Sequence, residues 1–326
     1  MRLRPDPFIV ALLAAALVAS FLPATGTVLE VLKQASVVAI GLLFFLYGAR
    51  LSTAETISGL ARWRLHVVVL STTFVVFPLL GLATQLLDGN LLRPSLAAGV
   101  LLLTLVPSTV QSCIVYTRIA GGNVAGAVVS ASMSNLLGVF ITPALVALLM
   151  AADAQVDARS IVRIVLQLFV PFVLGQLLRP LVGGVVSRRD PQLKLFDRGS
   201  IVLVVFVAFS EGAEAHIWSS QSVWSILAVA LVCAALLAVA MGWAVLVGRV
   251  VRLPREDRVA LLFCGSNKSL ASGLPIASVL FAGSDVALIV LPLMLYHQMQ
   301  IITGAVLSGR MARPSAAAVT RRRGGG

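Results

Sequence analysis

Charged residues are scarce in this sequence, and acidic residues are scarcer than basic ones. Of 326 residues, 12% are charged, with 13 Asp+Glu against 25 Lys+Arg, and only 6% are aromatic. A soluble globular domain carries about 25% charged residues. With 59% hydrophobic residues and a mean hydropathy of +1.01, the chain lacks the polar surface needed to fold in water. The composition excludes a soluble domain and indicates an integral membrane protein.

Cysteine and histidine are also sparse, and no arrangement typical of an enzyme is present. Cys113, Cys233 and Cys264 lie inside apolar runs, which excludes a disulfide framework and a zinc-binding spacing. The sequence has no phosphate-binding glycine loop, no Ser-His-Asp set and no His-carboxylate spacing for a metal. We predict a protein that is not an enzyme and needs no cofactor. His66 at a span entrance and His216 in an outer loop are expected to be solvated.

The net charge of +12 does not indicate nucleic-acid binding, because the cations lie in short loops between apolar segments. The predicted partner is the lipid bilayer. The first residues, MRLRPDPFIVALLAAALVASFLPATG, have the basic start and apolar centre of a signal peptide. We interpret them as a retained membrane span, because the pattern that follows needs this segment.

Ten segments meet or approach the length of about 20 apolar residues that a membrane-crossing helix needs. They cover residues 7–24, 34–51, 65–87, 94–117, 123–151, 161–179, 200–217, 223–248, 259–282 and 285–308. The connections between them, such as 88–90 and 187–191, are too short for a separate domain. We predict an all-α polytopic membrane protein whose ten transmembrane helices form a single membrane domain, residues 1–326.

The distribution of Lys and Arg orients these spans, because cytoplasmic loops carry the excess of cations. With the amino terminus inside, the outer side keeps only Lys33, Arg93, Arg159 and Arg163. Lys268 lies within a span, and the other cations are inside. We predict ten spans in the inner or plasma membrane with both termini cytoplasmic. Residues 311–326 form a basic cytoplasmic tail, in which Arg321, Arg322 and Arg323 anchor the topology.

A weak internal echo relates the two halves. Leu102-Leu103 followed by AGGNVA at 120–125 corresponds to Leu261-Leu262 followed by AGSDVA at 282–287. Five spans per half is an odd number, so the second half must enter the membrane upside down. We predict two inverted five-helix repeats, about 1–153 and about 157–310, an architecture that is usual for secondary transporters.

The fourth and ninth segments are interrupted by proline, glycine and polar residues. Pro107 opens a polar cluster of Ser108, Thr109, Gln111, Ser112 and Cys113. Gly265, Gly273 and Pro275 bracket Ser266, Asn267, Lys268 and Ser269. Unpaired backbone is tolerated at membrane depth only where protein or a water-filled cavity receives it. We predict that both helices are interrupted and cross at midmembrane around one shared cavity, although a lone proline often only kinks a helix.

Lys268 is the only cation far from both ends of its segment, and an ionisable residue inside the membrane indicates function. The fifth and tenth segments add Ser134, Asn135, His297, Gln298 and Gln300 as candidate ligands. Serine in such helices also mediates close helix packing. The predicted site therefore contains the polar residues of the two interruptions together with this second set.

Four segments carry a resemblance to the bile acid:sodium symporter superfamily, in particular to its divergent bacterial branch. They are GLLFFLYGARLS (41–52), the stretch 107–125 ending in Gly-Asn-Val-Ala, FCGSNKSLASGLPIA (263–277) and LPLMLYHQMQIITG (291–304). The resemblance implies ten helices, with a panel domain (spans 1, 2, 6 and 7) that moves against a core domain (spans 3–5 and 8–10). It also implies sodium-coupled symport of an organic anion by alternating access.

One departure from that family bears on coupling. The resemblance implies a sodium-ligand glutamate in the ninth-helix motif, but no acid occurs between Asp257 and Asp285. Ser112 matches a sodium-ligand serine, whereas Cys113 replaces the family's asparagine. Our hypothesis is that the Lys268 ammonium acts as a tethered cation in place of sodium. Sodium-coupled symport stays the prediction. The alternatives are proton-coupled or ion-independent transport that uses Lys268 as the tethered cation, or a regulatory membrane protein that does not transport, while substrate identity and oligomeric state are not predicted.

Overall fold

The computed structural model describes residues 7–50, 62–87, 92–150, 165–214, 216, 222–281 and 286–312. Helices form the regular structure of these ranges, which contain no strand. The helices are α1 (Pro7–Phe21), α2 (Gly26–Arg50), α3 (Trp63–Thr84), α4 (Pro94–Leu105), α5 (Val110–Ile119), α6 (Val124–Leu149), α7 (Val170–Arg188), α8 (Asp190–Glu214), α9 (Val223–Val250), α10 (Arg255–Ser266), α11 (Leu270–Leu280) and α12 (Val286–Met311). A π-helical turn, Thr72–Val76, lies inside α3, and a second, Val165–Phe169, precedes α7.

Each predicted segment contains described helix, with α4 and α5 in the fourth segment and α10 and α11 in the ninth. Several predicted features lie outside the described ranges: the connection 88–90, residues 282–285 of the internal echo, residues 51–52 of the first family motif, Arg159, Arg163 and the tail from 313 onward.

Six helices in the described ranges are long and apolar enough to cross a membrane, namely α2, α3, α6, α7, α9 and α12. The pair α4 and α5, bent by 61° at its interruption, adds a seventh. α1 is apolar but shorter, α8 carries charged residues in its first turns, and α10 begins with four of them. This is the architecture of a multi-pass membrane protein. The count of ten spans, the inverted repeat, the orientation and the panel and core domains stay predictions.

Two predicted boundaries are wrong. The polar stretch 187–191 is not a loop, since α7 runs to Arg188 and α8 begins at Asp190. A proline at 191 fits there because the first turn of a helix needs no donor from it. Helix α2 begins at Gly26 rather than near residue 34. Its early turns include Lys33, which forms ion pairs with Glu30 at 2.8 Å and with Glu211 of α8 at 3.1 Å.

The Gly-Asn-Val-Ala motif connects α6 to α10. The Asn123 side chain caps α6 by accepting the Gly126 N–H at 2.9 Å. Its amide nitrogen donates to Oδ1 of the buried Asp257 at 2.7 Å, and its backbone N–H donates to the Glu256 carbonyl oxygen at 2.9 Å. Arg62, at the start of α3, pairs with the same carboxylate at 3.3 Å. The motif therefore joins residues of both halves of the chain.

Helices α2 and α7 cross with their backbones in direct contact, and α1 and α8 pack beside them. A Cβ atom at Gly48 would overlap the Phe172 carbonyl oxygen, and one at Gly175 would overlap the Phe45 carbonyl oxygen. Small residues allow this approach in membranes, where association depends on van der Waals packing. The crossing thus requires glycine at both positions.

We expect Gly175→Ala to lower the unfolding temperature of the purified protein in detergent, because overpacking costs about 1–3 kcal/mol. Gly242→Ala, in α9, is the matched control, since a Cβ there meets nothing within 4 Å. Equal unfolding temperatures for the two variants would show that the α2–α7 contact is not this close.

Candidate functional site

Two interrupted helices meet at their unwound residues. The first interruption, residues 106–109, separates α4 from α5, and the second, residues 267–269, separates α10 from α11. The first residue of each has extended backbone angles (φ −78°, ψ 155° and φ −83°, ψ 144°). The Ser269 N–H donates to the Pro107 carbonyl oxygen at 2.8 Å. Both helices are thus interrupted and in contact, as predicted, whereas their crossing at midmembrane and a cavity shared between them stay predictions.

The predicted helix-breaking residues differ in their placement. Pro107 lies within the first interruption. Gly265 lies inside α10, while Gly273 and Pro275 lie inside α11, so these three flank the second interruption. The break falls before α11 because the Ser269 side chain accepts a backbone N–H from the first turn of that helix.

Side chains of α6 bind the backbone of the first interruption. Ser134 Oγ accepts the Ser108 N–H at 3.0 Å, and Asn135 Nδ2 donates to the Ser108 carbonyl oxygen at 2.6 Å. Thr142 Oγ1 donates to the Leu105 carbonyl oxygen at 2.8 Å. Backbone groups without partners are costly in hydrocarbon. α6 therefore stabilises the unwound conformation with hydroxyl and amide groups.

Helix α12 binds the second interruption in the same way. Tyr296 Oη donates to the Ser266 carbonyl oxygen at 2.7 Å. Gln300 binds both backbone groups of Lys268, since its Oε1 accepts the N–H at 2.7 Å and its Nε2 donates to the carbonyl oxygen at 2.8 Å. In each case, the long helix that follows the interrupted pair supplies these polar groups: α6 follows α4 and α5, and α12 follows α10 and α11.

Side chains of the first interruption also bind the second interruption and the last turn of α10. Ser108 Oγ donates to the Cys264 carbonyl oxygen at 2.7 Å, and Thr109 Oγ1 donates to the Lys268 carbonyl oxygen at 2.9 Å. These bonds link residues more than 150 positions apart in the sequence. The interruptions consequently form one hydrogen-bonded unit.

Lys268 places its ammonium group among backbone oxygens and has no exposed surface. Nζ donates to the carbonyl oxygens of Thr104 and Val106 at 2.9 Å each and to that of Thr73 at 3.1 Å. The Phe77 ring lies beneath it, with its centroid 3.9 Å from Nζ, which favours a cation. Three acceptors match the three hydrogens of an ammonium group. We call these three oxygens the carbonyl cage.

The π-helical turn in α3 makes the Thr73 oxygen available. The Phe77 N–H donates to the Thr72 carbonyl oxygen rather than to that of Thr73. Pro78, the next residue, has no N–H to donate. Sequence analysis missed Thr73, Phe77 and Thr104 as contacts of Lys268. The one available signal was a proline inside an otherwise apolar third segment.

Asn267 and Cys113 lie beside this unit. Asn267 Nδ2 donates to Ser112 Oγ at 3.3 Å and contacts Cys113 Sγ at 3.5 Å. The Cys113 thiol donates to the Phe263 carbonyl oxygen at 3.2 Å. Asn267 Oδ1 is buried and has no hydrogen-bond partner in the described part of the chain. It is therefore an acceptor that a bound cation or water could use.

Most of the predicted ligands use their polar atoms on protein backbone. Ser266 Oγ, for example, donates to the Leu262 carbonyl oxygen at 2.6 Å. The predicted site residues that keep clear exposed surface are Thr109, Gln111, Ser112, Asn135 and Gln298. Ser108, Asn267 and Lys268 have none, so this conformation is closed around the ammonium group.

The prediction that His66 is solvated is wrong. It is 2% exposed, and its Nδ1 lies 2.8 Å from Ser130 Oγ of α6. The helix α3 begins at Trp63 and packs on α6 from its first turn, which buries the ring. His216 is exposed, as expected.

Helices interrupted inside the membrane, with a cation held by backbone oxygens beside them, are features of helical membrane transporters. Comparison with known proteins supports that class and gives the family. Residues 6–313 match the model of the SBF-like CPA transporter family, and the chain belongs to that family. The predicted resemblance to bile acid:sodium symporters is confirmed, as is the prediction that the chain is not an enzyme, because the family consists of transporters.

Similar proteins match the chain over nearly its full length. "Uncharacterized protein PA2026" of Pseudomonas aeruginosa is 46% identical over 314 residues, covering 96% of this chain and 94% of its own. "Putative symporter YfeH" of Escherichia coli (strain K12) is 43% identical over 309 residues, covering 94% and 93%. "Sodium/bile acid cotransporter 7" of Rattus norvegicus is 27% identical over 313 residues, covering 94% and 92%.

Replacing Asn135 should destabilise the protein, whereas replacing Gln111 should not. Asn135 Nδ2 binds the first interruption, and its Oδ1 accepts from Ser272 Oγ of α11 at 2.9 Å. Asn135→Ala leaves buried groups unpaired, which costs about 1–3 kcal/mol. Gln111 is exposed and makes no hydrogen bond in the described part of the chain, so Gln111→Ala is the control. Thermal unfolding in detergent measures both, and an unchanged Asn135→Ala would contradict the structural role.

Proposed function

We propose that this chain is a secondary active transporter that moves an organic anion by alternating access, with Lys268 as its tethered cation. The observation that carries the proposal is the carbonyl cage around the Lys268 ammonium group. Cations that leave water are bound by oxygen ligands that replace their hydration shell. Here the ligands are backbone oxygens and the cation is part of the chain.

The charges around the carbonyl cage support the tethered Lys268 ammonium group over a free ion. Helix α4 ends at Leu105, so the negative end of its dipole faces the cage. The described residues of α10 and α11 after Asp257 contain no carboxylate that would compensate a second cation. A sodium ion beside an ammonium group would be repelled. The Lys268 ammonium group is therefore favoured over a free sodium ion as the cation of the carbonyl cage.

An organic anion fits the helix ends beside the interruptions. α5 begins at Val110 and α11 at Leu270, and the amino terminus of each half-helix carries partial positive charge. Thr109, which precedes α5, makes no side-chain cap bond to that helix. Backbone N–H groups at such an end bind anions. Gln111 and Ser112, in the first turn and partly exposed, are the proposed contacts.

Sodium coupling remains the second candidate, favoured by one observation. Asn267 Oδ1 is a buried acceptor without a partner, and it belongs to the side chain that contacts Ser112. A sodium ion at these oxygens would be separate from the carbonyl cage. The relatives named as a symporter and as a sodium/bile acid cotransporter support coupling to an ion in the family.

Transport is tested with the purified chain in proteoliposomes, using taurocholate and a set of smaller carboxylates and sulfates as labelled probes. We expect saturable uptake of at least one anion, absent from empty liposomes and reduced at least about tenfold in Gln111→Ala, which loses a substrate contact. Lys194→Met, at an exposed ion pair with Asp190, should transport normally. No uptake of any probe under sodium, proton or potassium gradients would favour a regulatory protein that does not transport.

The tethered cation is tested by thermal unfolding in detergent with sodium titrated against choline at constant ionic strength. Lys268→Ala should unfold at lower temperature, because three buried carbonyl oxygens lose their donor. Sodium, or propylammonium, which reproduces the deleted atoms, should then raise its unfolding temperature saturably. Lys194→Ala serves as the control for loss of a lysine. A sodium-specific shift in the wild type and none in Lys268→Ala would restore ordinary sodium symport.

A further inference from the structure

The orientation of the Gln300 amide is fixed by backbone chemistry. The Lys268 N–H can only donate, so the atom 2.7 Å from it is Oε1. The Lys268 carbonyl oxygen can only accept, so the atom 2.8 Å from it is Nε2. A rotated amide would place two donors together at one end and two acceptors at the other. Gln300 therefore holds the Lys268 peptide in one orientation, which we call the amide clamp.

The amide clamp determines the protonation of His297. Gln300 Nε2 lies 2.9 Å from His297 Nδ1. An amide nitrogen carries two hydrogens and accepts none. One hydrogen goes to the Lys268 carbonyl oxygen, beside which Thr109 Oγ1 lies 3.4 Å from Nε2, and the other is directed to Nδ1. Nδ1 must accept this hydrogen, so it carries no proton in this conformation.

We propose that His297 binds a proton at Nδ1 during the transport cycle and that this proton opens the amide clamp. The inference rests on the proposed function and names its coupling ion. A proton on Nδ1 would face the Nε2 hydrogens of Gln300, and the two donors repel. Gln300 would have to turn away, which removes the acceptor of the Lys268 N–H. The Lys268 N–H has no other acceptor in the described part of the chain.

Opening the clamp would act directly on the carbonyl cage. The Lys268 backbone is held by α12 through Gln300, and its ammonium group is held by α3 and α4. Loss of the first attachment lets the peptide at the second interruption move while the side chain is still attached at its far end. Such a step frees the peptide that carries the tethered cation, and it needs no carboxylate.

Among the residues that the structure describes, no carboxylate on the helices around α12 lies near the middle of that helix, where His297 is placed. Helices α4, α5, α8, α9 and α11 pack against α12. The titratable or charged groups on these elements, on α12 itself and at the interruptions are Cys113, Tyr116, Arg118, Asp190, Lys194, Asp197, Arg198, Glu211, Glu214, Cys233, Arg249, Lys268, Tyr296 and Arg310. The acids among them lie on the end turns of α8, whereas His297 is the twelfth residue of the 26 in α12.

Hydrogen–deuterium exchange of the full chain in detergent tests this inference without a substrate. Overlapping peptides that isolate the Lys268 amide are followed between about pH 8 and about pH 5, the range in which histidine titrates. Exchange is corrected for its intrinsic pH dependence. In the wild type, protection of the Lys268 amide should fall by about tenfold as the pH falls, as expected for loss of about one hydrogen bond.

His297→Asn is the informative variant, because Asn Oδ1 takes the place of Nδ1 as an acceptor and cannot be protonated in this range. Its protection at Lys268 should be high and independent of pH. His66→Asn and His216→Asn are matched controls that should keep the wild-type pH dependence. His216 has a φ of 56°, a backbone conformation that asparagine tolerates well. If His297→Asn does not fold, the wild-type pH dependence beside that of His66→Asn and His216→Asn still decides, because this comparison needs no change at residue 297.

Two results would overturn the inference: protection that is independent of pH in the wild type, or an equal loss in His297→Asn. Loss of the pH dependence in His66→Asn alone would move the proton site to His66 and also overturn it. A failure of the transport proposal has a different signature. It would appear as absent uptake in proteoliposomes while the pH-dependent exchange at Lys268 persists.

Discussion

Backbone groups that leave a helix inside a bilayer have no water to bind, and this constraint organises the core of the structure. The interruptions at 106–109 and 267–269 expose carbonyl and N–H groups that α6 and α12 then satisfy with hydroxyl and amide side chains. Each interruption also serves as a partner for the other. Lys268 belongs to the same system, because its ammonium group supplies donors to carbonyl oxygens that no helix can satisfy. What looks in the sequence like a set of ligands is first a set of backbone partners.

The parts of the site that follow from local chemistry could be predicted. Pro107 with its polar neighbours indicates an interruption, and Lys268 in an apolar segment indicates function, because both signals lie within a few residues. Thr73 could not be predicted, since its role depends on a π-helical turn in α3 and on contact with a residue 195 positions away. The same holds for Asp257, which meets Asn123 across 134 positions, and for His66, whose burial depends on how α3 packs on α6. Tertiary contacts of this kind leave no periodic pattern in one sequence.

The described conformation is closed around Lys268, whereas Gln111 and Ser112 keep exposed surface at the start of α5. The Thr104 and Val106 oxygens that bind the cation thus lie where the first interruption begins, and the proposed anion contacts, Gln111 and Ser112, lie just after it ends. Helices α1, α2, α7 and α8 contribute no oxygen to the carbonyl cage, which comes from α3, α4 and the first interruption. Movement of those four helices could therefore change access to the exposed residues while the hydrogen-bonded unit stays intact, which is compatible with alternating access.

The carbonyl cage has a consequence for the electrical work of transport. Its oxygens are dipoles without formal charge, so the single positive charge of Lys268 is not cancelled by an acid. A carrier that binds sodium loses that charge when the ion leaves, but a covalently attached ammonium group stays. Bound to a monovalent anion, such a site is electrically neutral, and the empty site returns with its charge uncovered. Moving one elementary charge through the membrane field involves about 2.3 kcal/mol per 100 mV. The membrane potential would then act on the return of the empty carrier rather than on the passage of its substrate.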